Sequence, residues 1–385
     1  YYSDATSNPG DIGPFAGSGT NVLYCWGFYI LKDHIISLSS PDTKHLDLWY
    51  TIHILNAYDE TITNIPGSDK SKNSKQYLLV GPDVDTTNLI VSSSYKIIKC
   101  PTNMVWVVGR VGIKDHDLTT SLNVLHQITT VDLNPNSDFP DYSPFTNSIY
   151  SSMDYFTLAA SLLQYNTIQK NDTGVVGTFN TIGFKSPFVI PPTGSPSLAG
   201  YLTGLSAAIN TILPFGFQFS SGLVTANFWN AGTKLGDFEN EYLRQAYAIR
   251  SGLAPNLANE QFYASTFRDV LGANLNGSIH NYTMHFEPEQ LPQVDPTFGF
   301  WDITAYNAAF GLIPNSLNRY SLCSCNNDLV YNYDGSLDLY FRYALSNDHT
   351  NELPISNGLT NLILRYYSPT NAAIYQFYLP GVVIM

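Results

Sequence analysis

Four polar side chains between Tyr282 and Tyr343 offer the best candidates for chemistry: His285, Asp302, Arg319 and Asp334. A histidine beside a carboxylate can act as a general acid–base, and an arginine can hold an anionic group. A structural interpretation is also open, because an arginine can pair with a carboxylate at a strand end and Asp-Gly is a common hairpin turn. Catalysis requires that the four groups meet in one pocket.

These side chains lie in or beside three predicted strands, Tyr282–Glu287, Phe300–Tyr306 and Ser336–Tyr343. The strands are rich in aromatic residues, and proline, asparagine and an Asp-Gly pair separate them. From residue 261 onward the predicted strands follow one another without helices, and the last is Ala372–Tyr378. This order predicts a jelly-roll-like antiparallel sandwich over about 261–385.

The first half of the chain is also predicted to be mainly β. Predicted strands between Asn21 and Ile113 indicate an antiparallel sandwich or small barrel, which spans residues 21–133. Asp59–Ser74 is predicted to be a loop. Apolar residues at helical spacing predict a helix over Leu118–Ile128, with Asp115 or Asp117 as its cap.

Three further helices are predicted in the first part of the C-terminal domain, 150–385, and occupy about 150–250. They are Met153–Leu163, Leu198–Leu213 and Phe238–Arg250, and the last ends before Gly252. Residues 134–149 (NPNSDFPDYSPFTNSI) are rich in proline and serine and show no helical periodicity. We interpret them as the linker between the domains.

Residues 1–20 are rich in Gly, Ser, Pro and Asp and predict an extended N-terminal arm. Tyr1, Tyr2, Ile12 and Phe15 could anchor the arm in a groove or at a sheet edge of a neighbouring copy. The arm could equally fold over its own domain. Self-association through the arm is therefore a prediction with one stated alternative.

The composition excludes some partners. The chain has 18 basic and 31 acidic residues, a net charge of −13, which argues against binding to nucleic acid. No run of 18 apolar residues occurs, so no membrane span is expected. Charged residues are only 13 % of the chain, and such a surface of neutral polar groups suits an extracellular setting or dense packing against neighbours.

Further sequence features favour an extracellular or particle-surface location. The sequence starts at Tyr1 without methionine, as expected after removal of a secretory signal. Glycosylation sequons begin at Asn171, Asn276 and Asn281. We expect at least one of the three to carry a glycan if the source is a eukaryote or its virus, and Asn276 is the first candidate, because Asn276-Gly277 is predicted to lie in a hairpin turn exposed to solvent.

Four cysteines are present, and an oxidising compartment would favour disulfides. Cys25 and Cys100 lie at two predicted strands of the first domain and are expected to form a bridge. Cys323 and Cys325 could be free, bind a neighbour, or bind Cys25 and Cys100 across the domains. A bridge between Cys323 and Cys325 would be strained.

Other chemistries lack their motifs. The sequence has no G-x-S-x-G, no phosphate-binding glycine loop and no dinucleotide fingerprint. The histidine spacings match no familiar metal motif. No cofactor or metal is therefore expected.

Several longer motifs carry a family resemblance. In the second half they are HF…LP…FW…TAY, NRYS and YN-x-DGSLD-x-Y; in the first half they are SPDT (Ser40–Thr43), YLLVGP (Tyr77–Pro82) and CPTNMVWVVGR (Cys100–Arg110). Over about Leu23–Met385 the chain resembles a two-domain family, domain of unknown function 1254 followed by domain of unknown function 1214. The resemblance implies a β-rich two-domain fold and no settled chemistry.

One departure from this family stands near the start of the first domain. The family usually shows N-x-D-T-L-Y, whereas this chain has Gly19-Thr20-Asn21-Val22-Leu23-Tyr24. Gly19 replaces the asparagine and Asn21 replaces the aspartate. If that carboxylate is functional in the family, this chain lacks it.

Three hypotheses follow. The first is a secreted structural or assembly protein, such as a coat or fibre subunit. The second is an enzyme acting on a small polar or sugar-like substrate in an inter-domain pocket, and the third is a carbohydrate-binding protein, for which the 27 Tyr residues could supply platforms. A concave pocket holding His285 and charged partners would favour the enzyme, and packing of the same groups would favour a structural role.

Overall fold

The computed structural model describes residues 2–3, 19–66, 73–87, 89, 92–135, 152–212, 222–224 and 227–385. Within these residues the chain forms four β-sheets and six α-helices. Two sheets belong to each half, and most of the helices lie between the halves in sequence. The predicted mainly β fold with a helical segment in its middle is confirmed.

The first half contains a sandwich of two sheets. Its strands are β1 (Tyr2–Ser3), β2 (Val22–Ile30), β3 (Ile35–Ser39), β4 (Tyr50–Asn56), β5 (Thr61–Ile65), β6 (Gln76–Val80), β7 (Tyr95–Lys99), β8 (Met104–Gly112) and β9 (Thr129–Asp132). Sheet I has the antiparallel order β1-β2-β8-β4-β5, and sheet II has the order β7-β6-β3-β9. Among the described strands of this half, only β6 and β7 pair in parallel. One core of buried aliphatic residues joins the two sheets.

Helix α1 (Leu118–Leu125) closes this core. The carboxylate of Asp117 caps the helix by accepting a hydrogen bond from the backbone N–H of Thr120 at 3.0 Å. Val124 and Leu125 are buried in the core of the sandwich. The helix and its aspartate cap therefore agree with the sequence prediction.

Four helices follow in the middle of the chain. They are α2 (Asp154–Tyr165), α3 (Thr173–Thr181), α4 (Pro196–Ala207) and α5 (Tyr242–Ser251). A π-helical turn, Ala208–Ile212, extends α4. Helix α3 was not predicted, because its two glycines and three threonines lower helix propensity.

The second half contains another sandwich. Its elements are β10 (Gly222–Val224), β11 (Asn230–Gly232), β12 (Gln261–Thr266), β13 (Tyr282–Phe286), β14 (Phe300–Asn307), β15 (Ser321–Cys323), β16 (Leu337–Arg342), β17 (Glu352–Pro354), β18 (Thr360–Tyr367), α6 (Asn371–Tyr375) and β19 (Val383–Ile384). Sheet III has the antiparallel order β10-β11-β12-β18-β14-β15. Sheet IV has the order β17-β16-β13-β19, in which only β16 and β17 are parallel. A second core joins sheets III and IV.

Sheets I and III pack against each other, so that the four sheets form layers in the order II, I, III, IV. Trp49 lies between them, with its ring 4.9 Å from that of Tyr367 and 6.2 Å from that of Phe300. Strands β4 and β14 are buried along almost their whole length, because both faces of their sheets are covered. Such strands form nearly continuous apolar runs in sequence.

Several expectations require correction. The predicted strand Ala372–Tyr378 is instead α6, whose cap is Thr370, with its hydroxyl accepting from the N–H of Ala373. The predicted loop Asp59–Ser74 contains β5. Most of the arm and most of the linker fall outside the described residues. The backbone of Tyr2–Ser3, however, pairs with β2 of its own chain.

No helix in the described ranges is both long and apolar enough to cross a membrane.

Candidate functional site

A buried polar centre lies where sheets I and III meet. Because side chains alternate along a strand, Asp302 of β14 and Arg365 of β18 point away from the second core and toward the first domain. Nη1 of Arg365 lies 3.5 Å from Oδ1 of Asp302, and Nη2 donates to the hydroxyl of Tyr306 at 2.8 Å. Both charged side chains are almost fully buried.

Two more groups hold the carboxylate of Asp302. The hydroxyl of Tyr367 donates to Oδ2 at 3.1 Å, and the side-chain amide of Asn21 donates to the same atom at 3.2 Å. Burial raises the pKa of Asp302, while Arg365 and these two donors oppose the rise. Arg365 and the two donors therefore favour the ionised form of this carboxyl group, whereas burial favours the protonated form.

Arg110 of β8 forms the other part of the polar centre. Its guanidinium donates to the carbonyl of Ala254 at 2.7 Å and to Nδ1 of His53 at 3.3 Å, and it lies 5.8 Å from the ring centre of Tyr24. Burial and then Arg110 hold the pKa of His53 well below its usual value, so this ring is neutral. Since Nδ1 accepts, the proton resides on Nε2, which donates to the Thr61 hydroxyl at 2.8 Å.

The departure from the family motif falls within this centre. Asn21 stands where the family usually has an aspartate, and its amide contacts Asp302. At Gly19 an added Cβ would lie 2.7 Å from the hydroxyl of Tyr367. A larger residue at position 19 would therefore displace the tyrosine that holds Asp302.

The four candidate residues from the sequence do not share one pocket. His285 lies on sheet IV, about half exposed, with Nδ1 2.7 Å from Asp338 and Nε2 3.5 Å from Glu287. The hydrogen bond to Asp338 raises the pKa of His285. Asp334 is near enough to His285 to feel its charge, but it caps its own turn through Ser336.

Arg319 and Asp302 bind other groups. Nη1 of Arg319 donates to the backbone carbonyls of His349 and Glu352, at 2.7 and 3.0 Å. Asp302 is buried against the first domain, as described above. The sequence analysis therefore identified one member of the polar centre, Asp302. It grouped this residue with His285, Arg319 and Asp334, which lie elsewhere.

The expected bridge between Cys25 and Cys100 is absent. Both residues are buried free thiols, and a disulfide joins Cys323 to Cys325 instead. Burial raises the pKa of Cys25 to about 11 and that of Cys100 to about 12, so both remain protonated. The sequence analysis did not predict this disulfide, because only Ser324 separates the two cysteines.

The sequons differ in accessibility. Asn171 is exposed, in a short 3-10 turn, Lys170–Asp172. Asn276, the first candidate from the sequence, is only partly exposed, and its Oδ1 accepts from the N–H and hydroxyl of Ser278, at 3.0 and 2.7 Å. Asn281 is also half-exposed.

A cavity of about 600 Å³ lies between the β4–β5 loop and helices α2, α3 and α5. Its carboxylates are Glu60, Asp172, Asp237 and Glu239, and none of the described residues that line it is a lysine or an arginine. We call it the acidic cavity. Its volume is within the range of small-molecule sites.

Glu60 is the most firmly held of these carboxylates. The backbone N–H of Phe238 donates to both of its oxygens, at 3.0 and 3.2 Å. Burial raises the pKa of Glu60 to about 7, and the charges of Asp237 and Asp172 add to the rise. The hydroxyl of Tyr242 donates to Asp172 at 2.9 Å.

Metal ligation is not supported in the described part of the chain, where no three His, Cys, Asp or Glu side chains are grouped to hold an ion.

Two β-sandwiches joined through a helical segment define the class of protein, and the sequence comparisons define the family. Residues 1–131 match the model described as Protein of unknown function (DUF1254), and residues 260–371 match Protein of unknown function (DUF1214). The chain belongs to the family in which a DUF1254 domain is followed by a DUF1214 domain.

A solved structure shares this architecture. The chain is similar to the VPA0106 protein from Vibrio parahaemolyticus, with 19 % identity, a TM-score of 0.67 and coverage of 96 % of this chain and 90 % of that chain. It also matches a putative uncharacterized protein from Burkholderia cenocepacia, with 8 % identity, a TM-score of 0.47 and coverage of 96 % and 77 %. No curated protein matches the sequence. The first similarity concerns the fold alone.

Proposed function

We propose that the chain is a structural or assembly subunit that acts outside the cell or on a particle surface. The observation that carries this proposal is the helical segment 152–212, whose apolar side chains are unusually exposed. Only Ala160, Asn166, Phe188 and Leu205 of this segment are buried. Exposed apolar surface of this kind marks sites of protein association.

The exposed residues are large. Val189 is 77 % exposed and Ile182 is 63 % exposed, and both flank a small aromatic cluster formed by Phe156, Phe184, Phe188 and Tyr201. The hydroxyl of Tyr201 donates to the carbonyl of Ile182 at 2.6 Å, which fixes the segment to helix α4. The apolar surface is thus held on an ordered cluster rather than on an isolated turn.

The state of the polar centre supports a role without catalysis there. Asn21, Arg110, Asp302 and Arg365 are each less than a tenth exposed and bind one another or their neighbours. A substrate could reach Asp302 only if the two domains separated. Replacement of the family aspartate by Asn21 also removes one carboxylate from this place.

The test is the mass of the purified protein in solution by light scattering. We expect an oligomer that dissociates in the double variant Ile182→Asp, Val189→Asp, with an unchanged circular dichroism spectrum. Val330→Asp is the matched control, since Val330 is 58 % exposed but lies outside the segment. A monomeric parent protein, or equal dissociation in the control, would refute the proposed surface.

A further inference from the structure

The acidic cavity combines carboxylates with aromatic and aliphatic walls. The rings of Tyr58, Phe179 and Tyr242 line it together with Leu163, Val175 and Val176. An ammonium group is attracted both by carboxylates and by the faces of aromatic rings. An aliphatic wall suits a hydrocarbon chain.

One polar group of the wall is unsatisfied. The hydroxyl of Tyr58 is buried and has no hydrogen-bond partner among the residues that the structure describes. Since the hydroxyl itself is buried, Tyr58 offers a molecule in the cavity the face of its ring and not its hydroxyl.

We propose that the acidic cavity binds a small organic cation, a primary amine that carries an alkyl chain. The ammonium group would bind between Glu60 and Asp172, with the rings of Tyr58 and Tyr242 beside it. The hydrocarbon would lie against Leu163, Val175 and Val176. Anionic molecules are disfavoured, since the described lining has four carboxylates and no lysine or arginine.

Glu60 makes this site sensitive to pH. The groups that act on its charge are Asp172, Asp237, Arg244 and the neighbouring Asp59. The pKa of Glu60 is raised to about 7, so it loses its negative charge as the pH falls through 7. An alkylamine stays protonated throughout this range. Its affinity should therefore rise about tenfold between pH 6 and pH 8.

The primary experiment is calorimetric titration of the intact protein with hexylamine, hexanol and hexanoate. These probes share one hydrocarbon chain and differ in charge. We expect hexylamine to bind about tenfold more tightly than hexanol, and hexanoate to bind least. Equal binding of hexylamine and hexanol, or no binding of hexylamine, would overturn the proposal.

Variants locate the site. Glu60→Gln keeps an oxygen for the N–H of Phe238 and should weaken hexylamine binding about tenfold and reduce its pH dependence. Asp237→Asn changes an exposed residue, so it should fold normally while weakening binding a few-fold. Glu241→Gln is the matched control, because Glu241 precedes α5 without a side-chain capping hydrogen bond and is not among the described residues that line the cavity. A control that weakens binding as much as Glu60→Gln would show general attraction to an acidic protein and refute the site.

Discussion

The amide of Asn21 donates a hydrogen bond to Oδ2 of Asp302 at 3.2 Å, across the boundary between the two domains. Asn21 lies immediately before β2, and Asp302 is the third residue of β14. The family motif usually has an aspartate at the position of Asn21, and an aspartate there would bring two carboxylates together. In this chain the contact is a donor–acceptor pair that needs no shared proton.

Asn21→Asp should destabilise the protein by about 1–3 kcal/mol at neutral pH, because two buried carboxylates would face each other. The folded pKa of the new carboxyl would be raised above its unfolded value, so the loss appears as the pH rises from about 4 toward neutrality. Chemical denaturation at pH 4.5 and 7.5 measures it. Asn180→Asp, an exposed change in α3, is the control; equal losses in both variants at both pH values would contradict the pairing.

Arg365→Met should cost about 3–5 kcal/mol, because the buried charge of Asp302 would lose its cation. The matched control is Arg268→Met, an exposed position where we expect a change within about 0.5 kcal/mol. Urea denaturation compares the two. A mild effect of Arg365→Met would mean that Tyr367 and Asn21 suffice to hold the carboxylate.

Asp59→Asn should stabilise the protein at pH 8 by about 1–3 kcal/mol. Burial raises the pKa of Asp59 to about 7, so the folded state binds a proton that the unfolded state releases near pH 4. The parent protein therefore loses stability as the pH rises from about 4 to 7, whereas asparagine has no proton to lose. Stability curves that remain parallel from pH 4 to pH 8 would disprove the shift.

The cysteines should separate into two reactivity classes. Cys25 and Cys100 are buried thiols with raised pKa values, so we expect iodoacetamide to label them only after unfolding and without reductant. Cys323 and Cys325 should require a reductant. Peptide mapping by mass spectrometry distinguishes these classes, and a Cys25–Cys100 disulfide peptide would contradict the structure.

In a host that performs N-glycosylation, Asn171 should be the most fully occupied sequon, since it is exposed while Asn276 and Asn281 are half-exposed. Intact mass and glycopeptide analysis give the occupancy at each position. Asn171→Gln should remove most of the added mass. Preferential occupancy of Asn276 would contradict the accessibility in the structure.

The sequence predicted the main elements of the fold because local patterns specify them. The strands near Val22, Met104 and Phe300 have long apolar runs with β-branched and aromatic residues, and Asp117 marks the start of α1. The strand predicted for Ala372–Tyr378 was wrong, because its aromatic residues suit a strand whereas Thr370 caps a helix. Short helices of this kind depend on tertiary packing, here the burial of Ile374.

The polar centre was harder to predict because its members come from distant strands. Arg110 and Arg365 each stand inside an apolar strand, VWVVGRVG and LILRYY. A lone arginine in such a run indicates a buried cation, and that signal could have identified both residues. Their partners could not be inferred, since Asn21 and Asp302 are 281 positions apart.

The back-to-back packing of sheets I and III has a consequence for how the two halves can exist. The face of sheet I that is turned toward the second half carries Tyr24, Trp49, Trp106 and Val108. All four are buried in one cluster with residues of the second half. Synthesised alone, the first half would expose this aromatic face and the unpaired cation of Arg110 to water, and the second half would expose Asp302 and Arg365. Each half therefore covers apolar and charged surface of the other. We expect a chain that retains only one half to aggregate instead of forming a smaller working protein.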